Sequence, residues 1–324
     1  MLLSFICGSL RGDTDLEGLR SAGSDCHRLA AETVELSVST KTKCQNVIDF
    51  AQDVKATLTG IGSKLTPSTY TTIMEYHDKM KETMTLAREM DDMAQECVNK
   101  SSEMTQAMQR GVDSLPKATK SEMEDDKDSE DENDVKLLDV DKDIEELEKC
   151  TSSLQNTNLF SAASSGTRAF QGLANKGELC KTMFERVEEL SASIARITQA
   201  FMQQSCCAQM TAVLSEAKNM LRCIRLSTLM QKIAEAARRL IQAIFNLLNM
   251  AWSKFKDFLD EFEAAKKIKN FVNSINPLEK GSMFNRSGVV EKGSTFSRSR
   301  GVDNTGVGKE VTPAPNIICC GLGS

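Results

Sequence analysis

Glycine and proline are missing from a long part of this chain. Neither residue occurs at positions 178–276, a run of 99 residues that ends just before Pro277. Because these two residues are the strongest interruptions of regular secondary structure, their absence allows very long helices. The run is therefore predicted to hold two or three helices, with breaks near residues 203–207 and 226–228.

Aromatic residues are also scarce, at 5% of the chain, with one tryptophan and two tyrosines. Compact β proteins usually contain more aromatic and β-branched residues, so an all-α fold is favoured. Apolar residues recur in steps of three and four, the spacing of a helix-packing seam; one such series is Cys44, Val47, Ala51, Val54 and Leu58. The sequence predicts an elongated bundle of long antiparallel helices with coiled-coil-like seams.

The uneven distribution of charge indicates further divisions of the chain. The formal net charge is −6, yet residues 120–150 hold fifteen acidic and five basic residues. Such a segment is too charged to bury and is predicted to contain a solvated linker. A glycine- and serine-containing stretch at 161–177 is predicted to be a loop. The expected organisation is an N-terminal segment (1–12), a helical region (13–116), an acidic flexible linker (117–136), a second helical region (137–276) and a disordered basic tail (277–324).

Motifs of catalysis are absent from the sequence. It has no phosphate-binding loop, no dinucleotide fingerprint and no G-x-S-x-G segment. Cys26 and His27 are adjacent, and adjacent side chains on a helix point about 100° apart, which disfavours a nucleophile–base pair. The interpretation is a protein that is not an enzyme, and no cofactor is expected.

Metal sites are equally poorly supported. The chain has two histidines and no C-x-x-C pair, although structural zinc sites usually show paired spacing. Asp139, Asp141 and Asp143 resemble the opening of a calcium loop, but Ile144 and Cys150 stand where glycine and glutamate are required. A solvated acidic helix start is the favoured interpretation, and no metal is expected.

The basic tail ends in a pair of cysteines, Cys319 and Cys320. They do not form a prenylation box, which needs its cysteine fourth from the end. Adjacent accessible thiols are candidates for S-acylation, and one acyl chain plus basic residues gives stable anchoring. Ser297 and Ser299 alternate with arginines, so their phosphorylation would weaken attraction to an anionic membrane. The alternative is a passive tail whose cysteines stay reduced.

Residues 240–262 are the most hydrophobic part of the chain. The uncharged run at 240–253 is shorter than the roughly 20 residues that a transmembrane helix needs. One interpretation places this segment in the core of the bundle. The other is an amphipathic helix at a membrane surface, with contacts from Trp252, Phe255, Phe258, Phe262, Lys266, Lys267 and Lys269.

Three functions remain open from the sequence. The first is a non-enzymatic peripheral membrane scaffold or tether at the cytosolic face of a membrane, with anionic lipids and protein partners bound through the helical seams. The second is a membrane-perturbing bundle, pore-forming or cell-death-like, that inserts residues 229–262. The third is a soluble coiled-coil or cytoskeletal subunit, and homo-oligomerisation is compatible with all three. Nucleic acid is not an expected partner, because the basic tail is sparse and belongs to an acidic protein.

Overall fold

The computed structural model describes residues 13–61, 67–114, 132–156, 163–203 and 210–275. Nearly all of these residues are helical, and none of them lies in a strand, which confirms the all-α class. In order, the helices are α1 (Asp13–Ile61), α2 (Pro67–Asp113), α3 (Glu132–Leu138), α4 (Asp141–Asn156), α5 (Ala163–Gln203) and α6 (Met210–Ile275). The chain divides into two units, Met1–Phe271 and Val272–Ser324, and the packing below is that of the first.

Small residues bring α1 close to α5. Cys44 and Ala51 on α1, and Cys180 on α5, are completely buried. Between them lies Gly177, where an added Cβ atom would stand only 2.7 Å from Cγ1 of Ile48. The two backbones approach so closely because no side chain separates them at this point.

Longer side chains fill the contacts of α2 and α6. The core contains Met80, Met90 and Met104 of α2, each with no exposed surface. Buried residues of α6 include Ile233, Leu240 and Phe255. Methionine is flexible and fills irregular gaps, so these three methionines act here as packing residues.

The loop predicted at 161–177 is wrong. Helix α5 begins at Ala163 and continues through Gly166, Gly172 and Gly177. Glycine lowers helix propensity by about 1 kcal/mol relative to alanine, but packing overrides that preference in a helix of 41 residues. At Gly177 the missing side chain is what the contact with Ile48 requires.

Of the two breaks predicted in the glycine-free run, only one separates helices. Helix α5 ends at Gln203 and α6 begins at Met210, whereas α6 passes without interruption through residues 226–228. Ser227 is buried there, and its hydroxyl lies 2.7 Å from that of Thr105 on α2. A serine that has a partner within the bundle does not need to end a helix.

The acidic linker predicted for 117–136 also differs from the structure at its end. Helix α3 begins within it, at Glu132. The reason is Asp134, which is only 3% exposed and accepts two hydrogen bonds from Arg186 of α5, at 2.7 and 2.8 Å. These bonds raise the pKa of the Arg186 guanidinium. A single carboxylate with a bidentate partner thus fixes a short helix to the bundle.

Candidate functional site

The carboxyl-terminal part of α6 carries every predicted membrane-contact residue, and the structure separates these residues into two groups. Phe255 and Phe258 are buried, with 0% and 8% of their surface exposed. The Phe255 ring meets that of Phe170 edge to face, with ring centroids 6.4 Å apart. In this structure both phenylalanines are core residues, as the first of the two interpretations of residues 240–262 requires.

Trp252 lies at the margin of the core. Its indole stacks on the imidazole of His77 from α2, with ring centroids 5.5 Å apart. The ammonium groups of Lys81 and Lys256 lie 6.0 and 5.9 Å from the centre of the indole ring. The indole nitrogen is buried and has no hydrogen-bond partner among the described residues. Trp252 therefore combines an apolar face with a basic surrounding, the combination that suits a membrane interface.

Phe262, almost three turns beyond Trp252, also contacts α2. Its ring stacks on Tyr70 with a centroid distance of 4.5 Å, and lies 6.3 Å from the ring of Phe258. Next to this stack, the hydroxyl of Tyr70 donates to the carboxylate of Glu263 at 3.4 Å. From residue 263 to residue 271, every side of α6 is exposed.

Beyond residue 262, α6 continues as an exposed helix. Lys266, Lys267 and Lys269 are all exposed. Ile268 and Phe271 expose 63% and 65% of their surface, more than any other large hydrophobic residue in the described ranges. Two large apolar side chains three residues apart, among three lysines, make an amphipathic surface of the kind that binds anionic membranes.

The remaining predicted site residues lie outside the described part of the chain. These are the lipidation candidates Cys319 and Cys320 and the phosphorylation candidates Ser297 and Ser299. Their assignments stay predictions from sequence.

The cysteines within the described helices are free, and all of them are buried except Cys150, which is half-buried. Burial raises the pKa of Cys44, Cys97 and Cys223 to about 12, and it raises that of Cys26 as well. Thiols of this kind remain protonated near neutral pH and are poor nucleophiles and poor metal ligands. Beside Cys26, the His27 ring nitrogen Nδ1 lies 3.0 Å from the carbonyl oxygen of Ala195, so this histidine joins α1 to α5.

No metal-binding group of three or more histidine, cysteine or acidic side chains occurs among the described residues. Two gaps between the helices, one beside Leu154 and one beside Met108, offer about 0 and 10 Å³ to solvent. Neither has room for more than about one water molecule. None of the helices within the described ranges has an apolar stretch long enough to cross a bilayer.

Comparison of the chain with models of protein families, with curated protein sequences and with solved structures finds no match in any of the three.

Sequence reasoning missed two parts of this site. Ile268 and Phe271 were not singled out, although their spacing among lysines is visible in the sequence and could have been used. The contact of Trp252 with His77 joins residues that are far apart in the chain, so no local pattern indicates it.

Proposed function

We propose that this protein is a non-enzymatic peripheral scaffold or tether at the cytosolic face of a membrane. The observation that carries the proposal is the exposed end of α6, where Ile268 and Phe271 project among Lys266, Lys267 and Lys269. In sequence, this end leads directly into the basic tail and its terminal cysteines. Acyl chains on Cys319 and Cys320 would supply stable anchoring, and the lysines would add attraction to anionic lipids.

The scaffold part of the proposal depends on how the long helices pair. Contacts between α1 and α5 include an ion pair of Lys41 with Glu188 and a hydrogen bond from Lys55 to Gln171. From the first contact to the second, the residue number rises on α1 and falls on α5, which supports an antiparallel arrangement. The same trend joins α2 and α6, from Thr105 with Ser227 to Tyr70 with Glu263.

Coiled-coil-like seams are supported by burial. The series Cys44, Val47, Ala51, Val54 and Leu58 is buried throughout, with at most 3% of any residue exposed. Steps of three and four residues bring such positions to one side of a helix. A bundle joined in this way is a rigid spacer that presents partner-binding surfaces, a role that needs no pocket.

Membrane flotation from cells tests the anchor. The wild type is expected to float with membranes, and the Cys319→Ser/Cys320→Ser double variant is expected to remain soluble. A Lys266→Glu/Lys267→Glu/Lys269→Glu variant should float less than the wild type, because it repels anionic lipids. Its matched control is Lys218→Glu/Arg222→Glu/Lys232→Glu, which makes the same charge change on exposed positions of the same helix. Flotation of the double cysteine variant at wild-type levels would refute the acyl anchor.

The two alternative functions give different results in simple assays. A membrane-perturbing bundle that inserts residues 229–262 would release dye from liposomes, whereas a scaffold binds without leakage. A soluble coiled-coil or cytoskeletal subunit would form large assemblies without lipid, which light scattering detects.

A further inference from the structure

The short helices α3 and α4, which we name the acidic cover, lie across the bundle formed by the long helices. The cover comprises residues 132–156, including the two residues between its helices, and has a strongly acidic sequence with eight acidic and three basic residues. Its apolar residues Leu147 and Leu154 are buried. Leu154 lines a packing gap, too small for a water molecule, together with Phe170 and Leu173 of α5 and Leu247 and Leu248 of α6.

Basic residues of α5 and α6 surround these apolar contacts, and each binds the cover. Lys176 of α5 lies 2.6 Å from both Asp143 and Glu146, with its own side chain only 11% exposed. Arg186 of α5 makes the bidentate pair with Asp134.

The same pattern extends to α6. There, Arg239 pairs with Asp141, and Lys254 donates a hydrogen bond of 2.9 Å to the carbonyl oxygen of Gln155. Beneath the cover there is therefore an apolar centre with cations at its margin. We name this surface the covered face, defined by Phe170, Leu173, Leu247 and Leu248 with Lys176, Arg186, Arg239 and Lys254.

An apolar centre bordered by cations is the chemistry by which amphipathic helices bind anionic bilayers. The cover supplies the complementary set, with carboxylates opposite Lys176, Arg186 and Arg239, a backbone carbonyl opposite Lys254, and leucines opposite the apolar centre. We propose that the covered face is a second site for an anionic lipid surface, and that the acidic cover is an intramolecular competitor which the lipid surface displaces. This inference rests on the proposed membrane function and adds a regulated contact to the exposed end of α6.

Cys150 on the cover provides a native probe of displacement. Its side chain is half-buried, and its sulfur lies 3.7 Å from the position of a Cβ atom built on Gly172 of α5, so its exposure increases when α4 leaves α5. The experiment uses the full chain with Cys7, Cys206, Cys207, Cys319 and Cys320 changed to serine, which leaves buried thiols as the competitors of Cys150. The rate of its reaction with a maleimide is followed by mass spectrometry. Vesicles of phosphatidylcholine with phosphatidylserine should raise this rate about tenfold, and phosphatidylcholine alone should not.

A disulfide lock provides the second test. In the variant Gly172→Cys, diamide accepts the two electrons and two protons of the thiols of residues 150 and 172, which then form a bond between α4 and α5. The locked protein should bind the anionic vesicles about tenfold more weakly than the same protein after reduction. Gly172→Ala is the control, because a Cβ atom there meets the Cys150 sulfur at an ordinary van der Waals distance.

The outcomes separate this inference from the proposed function. If anionic vesicles bind the protein while the reactivity of Cys150 and the effect of the lock stay unchanged, the cover does not move and the inference is wrong. The acyl anchor is tested separately, by the flotation experiment. If soluble polyglutamate raises the reactivity of Cys150 as strongly as the anionic vesicles do, the covered face binds an acidic chain, and the lipid assignment is wrong.

Discussion

The core of the bundle has two chemically different regions. In the aromatic region, the rings of Phe50, Phe170 and Phe255 form a continuous series of edge-to-face contacts at 6.3 and 6.4 Å. In the hydroxyl region, the buried residues of α1, α2, α5 and α6 include serines and threonines: Thr33, Ser37, Thr40, Ser101, Ser191, Thr198 and Ser227. Both regions are fully buried, so burial alone does not distinguish them.

The two regions differ in the interactions that their buried side chains make. Thr33 donates to the carbonyl oxygen of Leu29, and Ser101 to that of Cys97, each within its own helix. A hydroxyl that is satisfied by its own helix is buried at little cost, but it adds little attraction between helices. Aromatic rings, in contrast, bury large apolar areas against their neighbours. The aromatic region is therefore expected to carry most of the stability of the bundle.

The largest effect is expected from Phe170→Ala in the aromatic region. This change removes the ring that joins Phe50 to Phe255 and should lower the free energy of unfolding by about 3–5 kcal/mol. Urea denaturation followed by circular dichroism measures it. Phe170→Leu is the control, since it keeps most of the volume and should cost less than about 1.5 kcal/mol. Equal losses in the two variants would show that ring packing is not the cause.

Gly177→Ala tests whether close backbone approach is as important as side-chain chemistry. The new methyl group would stand 2.7 Å from Cγ1 of Ile48, a stiff β-branched side chain. We expect a loss of about 1–3 kcal/mol in the free energy of unfolding. Gly60→Ala on α1 is the matched control, since nothing lies within 4 Å of its Cβ position; it should be neutral or stabilising by up to about 1 kcal/mol. A stabilised Gly177→Ala would contradict the close contact.

Alkaline pH should lower the stability of the bundle, and Cys26, Cys97 and Cys223, which are buried near the hydroxyl region, contribute to this effect. Burial raises the pKa of Cys97 and Cys223 to about 12, whereas an unfolded thiol ionises near pH 8.5. Between these values the unfolded chain binds fewer protons than the folded chain, so the free energy of unfolding falls as pH rises. Each such thiol should contribute a slope of about 1.4 kcal/mol per pH unit.

Urea denaturation at pH 8, 9 and 10 measures that slope. Cys97→Ala should reduce it by the contribution of one thiol. Cys150→Ala, which removes a half-buried thiol of the cover, should change it less. Identical slopes in the wild type and Cys97→Ala would contradict the assignment.

The smallest effects are expected within the hydroxyl region itself. The Ser101 hydroxyl donates only to the carbonyl of Cys97 in its own helix, at 2.6 Å. Ser101→Ala should therefore change the free energy of unfolding by less than about 0.5 kcal/mol. Ser227→Ala removes a hydroxyl that lies 2.7 Å from Thr105 of another helix and should cost about 1 kcal/mol. Equal effects would remove the distinction between bonds within and between helices.

The sequence predicted the fold class correctly because the spacing of apolar residues is a local pattern, and residues with helical spacing are buried together on one side of a helix. The series from Cys44 to Leu58 is buried as its spacing predicts. The errors concern residues whose role is fixed by distant partners. Gly177 was assigned to a loop because its partner Ile48 is far away in the chain, and Ser227 was assigned to a break because its partner Thr105 is equally distant.

For the candidate site, composition indicated the basic and apolar character of the end of α6. It did not indicate which phenylalanines are in the core. Phe255 and Phe258 have the same local pattern as Phe262, and only the packing of α5 and α2 against α6 distinguishes them. The ion pairs of the acidic cover were also missed, because charge in that segment was interpreted as a sign of solvation.

Helix α6 has 66 residues without a break, which corresponds to a rod about 100 Å long. A force that pulls along the axis of this helix would load its contacts with the bundle in shear. The contacts of α6 with Tyr70, His77, Ser191 and Thr105 would then resist together, because no hinge at residues 226–228 lets them separate one at a time. Without a break in α6, these contacts would share such a load.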